Sequence, residues 1–190
     1  MTVVALVVAT LVLSVERMCY VAIARAPGAF RLWCAGPRVA RFGTPLAIVE
    51  KLFYACKAIQ VGVFVAWCFL HGDGSIRPAC DVPAVLVVAV AAILAGQALG
   101  ALVFYRLGRV GAFFGDRLGY AVSWCREFPF SVLAHPQYVG TVMTIWGVFL
   151  VMRFPHDDWY LLPIVETVFY AAGAALEERR PDPAGEPRAA

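Results

Sequence analysis

The stretch Phe128 to Gly140, FPFSVLAHPQYVG, is the least membrane-like sequence inside an otherwise apolar chain. It places His135 and Tyr138 among two prolines and three aromatic residues. An imidazole or a phenol can accept or donate a proton during a reaction. The stretch is therefore either a plain connection between two membrane helices or a place where a polar ligand meets the bilayer surface. The second interpretation requires supporting residues elsewhere in the chain.

A pair of carboxylates, Glu177 and Glu178, ends the last apolar segment. Negative charge at the end of a helix opposes the helix dipole, so this placement predicts a cationic partner. The structural partners are Arg179 and Arg180, which follow directly. The functional partner is a cationic ligand, or the hydroxyl or amino groups of a ligand. Glu166, inside the same segment, is either a functional carboxylate or a neutral one that is hydrogen-bonded to a neighbouring helix.

Small residues are regularly spaced in the third apolar segment, which reads ILAGQALGALVFYRLG in its second half. Gly96 and Gly100 are four residues apart, with Ala98 between them. The spacing favours close packing of two membrane helices. The alternative is that the missing side chains let a ligand approach the backbone.

The composition excludes an ordinary soluble domain. Hydrophobic residues make up 62% of the 190 residues and charged residues 15%, and the mean hydropathy is +0.75. Chemistry in such a chain must use helix ends and short loops. The net charge of +3 is carried mostly by arginines spread through the loops, a pattern that indicates membrane anchoring and not nucleic-acid binding. The six scattered cysteines have no metal-ligand spacing, so no metal site is expected.

We therefore predict an all-α, polytopic integral membrane protein with four to five membrane segments. Residues 1–178 form one membrane-embedded domain, followed by a polar tail at 179–190. The segments are about Val3 to Ala24, Leu46 to Leu70, Val82 to Leu107, Tyr138 to Met152 and Trp159 to Leu176. Glu16 and Arg17 interrupt the first, so they lie near a bilayer face or the segment enters only partly. Lys57 is expected to reach towards the headgroups. The loop from Gly108 to Gly140 is expected to form short interfacial helices.

Arginine counts predict the sidedness of the chain. The loop after the first segment, the loop after the third and the tail carry four, four and three arginines, and the other two loops carry one each. The positive-inside rule then places the arginine-rich loops and the C-terminus in the cytosol and, with five crossings, the N-terminus opposite. The long loop and Glu177-Glu178 thus share one face.

Three blocks in a fixed order resemble a known family. From Gly111 the chain reads GAFFGDRLGY, then FPFSVLAHPQYVG, then an apolar stretch that ends in LEE. This order resembles the eukaryotic single-chain phosphatidylethanolamine N-methyltransferases, also called phospholipid methyltransferases. They share a wider superfamily with isoprenylcysteine carboxyl methyltransferases and sterol reductases. The resemblance covers roughly Gly96 to Glu178.

The resemblance implies an S-adenosylmethionine site built without a Rossmann domain. One cofactor motif of the family, a Gly-x-Gly in the third membrane segment, is matched by Gly96, Gln97 and Ala98, where the last position departs from the pattern and Gly100 shares the role. The other is a glutamate pair, matched by Glu177 and Glu178. Carboxylates accept hydrogen bonds from ribose hydroxyls or the cofactor amine and oppose the sulfonium charge.

The resemblance also implies methyl transfer to the amine of phosphatidylethanolamine, or of its mono- and dimethyl forms, towards phosphatidylcholine. The attacking amine must be neutral, whereas a free alkylamine has a pKa of about 10.4. His135, Tyr138 or one of the glutamates is the expected proton acceptor, although His135 can also be a turn residue whose ring contacts a helix end. Arg126, with Arg117 or Arg109, is expected to hold the lipid phosphate.

The family's expected location is the endoplasmic reticulum, with mitochondrial membranes second. The competing enzyme is an isoprenylcysteine carboxyl methyltransferase, which shares the cofactor; a sterol reductase fits less well because the chain is short. The non-enzymatic alternative is a membrane assembly protein that uses the Gly/Ala face for helix association. The expected partners are a membrane phospholipid and the bilayer, and the oligomeric state stays open.

Overall fold

The computed structural model describes residues 2–72, 74–122 and 125–178, with the backbone alone at 177 and 178. Over these residues the chain is helical and contains no β-strand, which confirms the all-α prediction. The helices are α1 (Thr2–Arg25), α2 (Pro27–Cys34), α3 (Pro45–His71), α4 (Pro83–Ala112), α5 (Pro136–Arg153) and α6 (Leu161–Glu178), with a short 3-10 helix at Ala40–Phe42. The predicted tail, 179–190, lies outside the described residues.

Three helices are long and apolar enough to cross a bilayer, namely α1 with 24 residues, α3 with 27 and α4 with 30. At about 1.5 Å per residue each exceeds the roughly 30 Å hydrocarbon core. Helices α5 and α6 have 18 residues each, or about 27 Å, slightly less than the core thickness. The protein is therefore a polytopic membrane protein.

Prolines set where the long helices begin. Pro45, Pro83 and Pro136 stand in the first turns of α3, α4 and α5, where a missing N–H costs no intrahelical hydrogen bond. Thr44 caps α3, since its hydroxyl oxygen accepts a hydrogen bond from the Ala47 N–H at 3.3 Å. Helices α1, α3, α4, α5 and α6 begin and end close to their predicted segments because apolar runs and prolines mark these boundaries, whereas α2 lies in a stretch that was predicted as a loop.

The long loop differs from its prediction. Helix α4 continues past a kink at Gly108, where φ is +63°, a value that favours glycine. Beyond Ala112 the described part of the loop consists of turns and extended backbone, so the predicted short interfacial helices are absent from it. Glycines at 111, 115 and 119 and prolines at 129 and 136 favour turns over helix in this stretch.

Helices α4 and α5 pack through glycines. A Cβ added at Gly96 would overlap the Gly140 carbonyl oxygen, and one added at Gly147 would lie 2.6 Å from the Ala89 carbonyl oxygen. The two backbones are therefore in contact over several turns, as in small-residue membrane interfaces. On the other side of α5, Phe149 and Leu162 are fully buried in a core shared with α1, α3 and α6.

The long loop closes one end of the bundle. Arg109 pairs with Glu50 near the start of α3, and Arg117 donates to the Ala24 carbonyl oxygen at the end of α1, at 3.3 Å. At the other end of the bundle, the Arg153 guanidinium donates to the His71 carbonyl oxygen at 2.7 Å. The arginine-rich connections thus share one end of the molecule.

Candidate functional site

An apolar cavity of about 690 Å³, hereafter the membrane cavity, separates α3 from the α4–α5 pair. This volume lies within the usual range for small-molecule sites, about 300–1,000 Å³. Six polar side chains interrupt its apolar lining: Lys57, Gln60, Gln97, Gln137, Thr141 and Thr144. The cavity therefore combines space for apolar chains with a few convergent polar groups.

The predicted Gly-x-Gly position faces this cavity only in part. Gly96 lies buried against α5, and a Cβ there has no space, which favours its packing role. Gln97 lines the cavity and donates to the Thr144 hydroxyl oxygen at 3.1 Å. Ala98 is exposed and is not among the lining residues. Gly100, one turn later, lines the cavity with nothing within 4 Å of an added Cβ, so its backbone is the one open to a ligand.

A second cavity of about 260 Å³, the loop chamber, lies under the long loop. His135, Tyr138 and Arg117 all line it, together with Asp116. His135 is the N-cap residue of α5, and its ring stacks on that of Tyr138 with centroids 5.5 Å apart and planes inclined by 12°. His135 thus lies at a helix end and also lines a cavity.

The remaining predicted site residues are Arg126 and the pair Glu177 and Glu178. Arg126 is exposed and is not a lining residue of the loop chamber. The side chains of Glu177 and Glu178 lie outside the described residues. Their helix approaches the chamber one turn earlier, where a Cβ added at Gly173 would lie 3.8 Å from the Tyr138 ring.

Charged residues inside α1, α3 and α6 meet in one buried cluster, which we call the polar cluster. Its members are Glu16, Arg17, Lys57, Gln60, Glu166 and Tyr170. The Lys57 ammonium lies 2.9 Å from a Glu16 carboxylate oxygen and donates to the Tyr170 hydroxyl at 2.8 Å. Gln60 donates to the Glu166 carboxylate at 2.7 Å.

The cluster shows which way the charged side chains of α1 and α3 point. Glu16 and Arg17 lie buried within α1, which continues to Arg25. Lys57 points inward to Glu16 and does not reach for the headgroups. Pairing inside the bundle satisfies charges that lipid could not solvate. Glu166 accepts a hydrogen bond from Gln60 of α3, the contact to a neighbouring helix that one of its two predicted alternatives named.

A third, small cavity of about 50 Å³, the polar chamber, lies between the polar cluster and the loop chamber. Arg17, Tyr20, Lys57, Tyr138 and Tyr170 line it, together with Glu16. Sequence reasoning gave no role to Tyr20 or Tyr170, because a tyrosine inside an apolar segment does not stand out from core residues.

Gln137 lines all three cavities and was not singled out in the sequence. A signal for it exists, since Gln137, Thr141 and Thr144 follow the i, i+4, i+7 spacing of one helix face. This polar stripe on α5 connects the membrane cavity with the two chambers near the loop.

Part of the chain that contains the loop chamber is similar to known proteins. The family described as phospholipid methyltransferase matches residues 84–180, about half of the chain. The match includes nearly all of α4, all of α5 and α6, and every lining residue of the loop chamber. A 50-residue stretch is 44% identical to the phosphatidyl-N-methylethanolamine N-methyltransferase of Arabidopsis thaliana. That match covers 26% of this chain and 30% of the relative, so the chain matches less than a third of the relative's length. No solved structure gives a significant match.

Proposed function

We propose that this chain, which belongs to the phospholipid methyltransferase family, transfers methyl groups from S-adenosylmethionine to a phospholipid amine. The acceptors are phosphatidylethanolamine or its mono- and dimethyl derivatives, and the final product is phosphatidylcholine. One observation carries the proposal: at Gln137, an apolar cavity of about 690 Å³ meets a chamber lined by His135 and Tyr138. A lipid in the membrane cavity can thus present its headgroup to side chains that handle protons.

The residues around Gly100 fit the methyl donor. An added Cβ at Gly100 meets nothing within 4 Å, so the backbone there is open to a flat ligand, and the amide of Gln97 lies on the same wall. We propose that Gln97 and Gly100 bind the cofactor, within the predicted motif that also contains Gly96 and Ala98. Glu177 and Glu178, at the end of α6, are the second part of the proposed cofactor site. When bound, S-adenosylmethionine supplies a methyl group already activated by a sulfonium.

The protein's task is then to position the amine and keep it neutral. An apolar cavity disfavours the charged form of an amine, because burial removes water from it. His135 and Tyr138 stand next to each other at the chamber wall, and we propose that they accept the amine proton. Holding two reacting groups in line is worth about 7–11 kcal/mol of the barrier in favourable cases.

Two arginines were predicted to hold the lipid phosphate. Arg117 lines the loop chamber, and we propose that its guanidinium binds an oxyanion group of a substrate. Arg126 is exposed, so we propose that it contacts the lipid headgroup only as the headgroup enters the site.

We propose that residues 1–178 form one domain. Support comes from the core, in which Leu13 of α1 and Trp67 of α3 pack with Phe149 and Leu162 of the matched region. The arginine-rich end carries the loop chamber and faces the cytosol under the positive-inside rule. The endoplasmic reticulum is the proposed membrane, with mitochondria as the second choice.

Binding and acceptor choice test the function. We expect the purified chain in detergent to bind labelled S-adenosylmethionine and to methylate phospholipid amines but not an isoprenylated cysteine. Transfer to the prenylcysteine alone would move the assignment to a carboxyl methyltransferase. Absence of cofactor binding in the folded chain would favour a membrane assembly protein instead.

Two glycine variants test the cofactor position. Gly100→Ala should weaken cofactor binding at unchanged stability, because the added methyl group enters the open side of the cavity. Its matched control is Gly96→Ala, in which the methyl group meets α5 and should cost about 1–3 kcal/mol of stability by overpacking. Equal cofactor affinity in Gly100→Ala and wild type would refute this position.

A further inference from the structure

The polar chamber contains two buried polar atoms that no other described residue satisfies. Among the described residues, Arg17 Nε and the Tyr20 hydroxyl have no hydrogen-bond partner. Both residues are more than nine-tenths buried, with 9% and 7% of their surface exposed, and both line the chamber. Buried polar groups are nearly always hydrogen-bonded in folded proteins, so two such donors at one cavity indicate an acceptor from outside the described residues.

Neighbouring groups are already engaged with one another. Glu16 holds Lys57 at 2.9 Å and Arg17 Nη2 at 3.3 Å. Lys57 also donates to Tyr170, whose ring lies 3.7 Å below the Arg17 guanidinium carbon. Arg17 is therefore held in place by one weak ion pair and by stacking, while its Nε stays available for a ligand.

We propose that the polar chamber binds the oxyanion of a zwitterionic ligand, with Arg17 Nε and the Tyr20 hydroxyl as donors. The proposal rests on the function proposed above and adds a binding site to it. A water requires roughly 10–15 Å³ of such space, so a chamber of about 50 Å³ has room for one phosphate or carboxylate group. Both donors lie on α1, outside the region matched by the family, whereas part of the chamber wall, including Tyr138 and Tyr170, lies inside that region.

Charge balance favours a zwitterion over a simple anion. Two carboxylates, Glu16 and Glu166, face two cations, Arg17 and Lys57, so the cluster as a whole is neutral when all four are ionised. A ligand of zero net charge keeps that balance. Six aromatic rings in the lining suit an ammonium group through cation–π attraction, namely those of Tyr20, Phe53, Phe113, Phe114, Tyr138 and Tyr170.

The proposed reaction brings two groups of this chemistry. One is the phosphate and amine of phosphatidylethanolamine, and the other is the carboxylate and amine of S-adenosylmethionine. Arg117 in the loop chamber would hold whichever oxyanion the polar chamber does not.

Tyr20→Phe is the variant that isolates the site. It removes only a hydroxyl with no partner in the described chain, so folding should not suffer. Its matched control is Tyr105→Phe, at a residue on α4 that is 82% exposed. Arg17→Lys is the second test, because it keeps the positive charge and removes the Nε donor.

The experiment measures binding of two soluble probes to the purified full chain in detergent, independently of turnover. The probes are glycerophosphoethanolamine, which carries the phosphate zwitterion, and S-adenosylhomocysteine, which carries the carboxylate zwitterion. We expect one of them to bind at least roughly tenfold more weakly to Tyr20→Phe and Arg17→Lys, the loss typical of a hydrogen bond to a charged group. Binding to Tyr105→Phe should equal wild type.

Each outcome decides one point. Loss confined to glycerophosphoethanolamine assigns the site to the lipid phosphate, and loss confined to S-adenosylhomocysteine assigns it to the cofactor carboxylate. Unchanged binding of both probes in folded Tyr20→Phe, or binding of neither probe to wild type, overturns the proposal. Probe binding that depends on Tyr20 in a chain that methylates no lipid would refute the proposed function and leave this site standing.

Discussion

Two buried arginines in this protein, Arg153 and Arg17, each pair with a carboxylate, but their guanidinium groups differ in how many hydrogen bonds they make. Arg153, 3% exposed, donates through Nε and Nη2 to the Asp158 carboxylate at 2.9 and 2.6 Å. Trp67 donates to the same carboxylate at 2.8 Å. Arg17 has a single 3.3 Å contact with Glu16, and its Nε has no partner among the described residues.

The difference separates a structural site from a ligand site. The Arg153 site is closed by the chain itself and is not part of the lining of the three cavities. The Arg17 site is incomplete and lines the polar chamber. A buried charge in a membrane helix is often taken as a sign of function. Both the Arg17 site and the Arg153 site contain a buried charge, so charge alone does not distinguish them. The feature that indicates a ligand site at Arg17 is a hydrogen-bond donor without a partner among the described residues, beside a cavity.

The largest expected effect is on stability, at Arg153. Asp158→Asn removes the charge that pairs with a buried guanidinium and should cost about 3–5 kcal/mol of the free energy of unfolding. Methyl transfer per folded molecule should stay at the wild-type level, because the pair lies far from the proposed site. Thermal unfolding in detergent, with activity measured below the transition, checks both parts; a loss of activity in folded protein would place this pair in the site.

The same pair predicts an acid dependence. Burial acts to raise the pKa of Asp158, but hydrogen bonds from Arg153 and Trp67 outweigh it and leave that pKa below its ordinary value. Stability from a carboxyl with a lowered pKa is fully present above the unfolded pKa of about 3.9 and is lost as the pH falls through the folded value. Wild type should therefore lose more stability than Asp158→Asn in unfolding curves recorded between pH 6 and pH 3. Parallel losses would contradict this assignment.

Lys57→Met should affect both stability and function, in contrast to Asp158→Asn. It removes a partner of Glu16, Tyr170 and Gln60 and should cost about 3 kcal/mol. Lys57 also lines the membrane cavity and the polar chamber, so methyl transfer should fall at least tenfold at a temperature where the variant is folded. Full activity in folded Lys57→Met would show that methyl transfer does not depend on the polar cluster.

A pair of donor deletions sharpens the comparison further. Trp67→Phe removes a hydrogen bond that is made to a carboxylate and should cost about 2 kcal/mol. Tyr20→Phe removes a donor that makes none and should change stability by less than about 0.5 kcal/mol. Side-by-side denaturation of the two variants measures the difference. A comparable loss in Tyr20→Phe would mean that its hydroxyl supports the fold.

Among the variants that break an ion pair, Arg109→Gln should have the smallest effect. Arg109 pairs with Glu50, but its side chain is largely exposed. Exposed ion pairs contribute about 0–1 kcal/mol, so the unfolding temperature should shift by no more than about 4 °C. A loss as large as that of Asp158→Asn would show that exposure does not distinguish these pairs.

Helices α1, α3, α4, α5 and α6 could be predicted from the sequence because each consists of an apolar run bounded by prolines, glycines or charges, whereas the short α2 was predicted as part of a loop. The predicted Val82 to Leu107 segment became α4, Pro83–Ala112, and the other long helices fit equally closely. The loop beyond α4 was predicted less well, since its aromatic residues suggest helices while its glycines and prolines favour turns.

The candidate site could be predicted only residue by residue. His135, Tyr138 and Arg117 were singled out by type, and the structure brings them to one chamber. The meeting of Glu16 with Lys57 was not predicted, because pairing between distant helices depends on which face each helix turns inward. Near-uniform apolarity hides that rotation in α1 and α3, whereas on α5 the polar stripe at Gln137 could have revealed it.

The measurement that tests the central claim most directly is methyl transfer from labelled S-adenosylmethionine by the purified chain. Phosphatidylethanolamine and its monomethyl and dimethyl derivatives are offered separately, to wild type and to Glu177→Gln/Glu178→Gln. The account predicts label in methylated phospholipid for wild type and none for the double variant. No label in any of the three lipids, from folded protein that binds the cofactor, would contradict it.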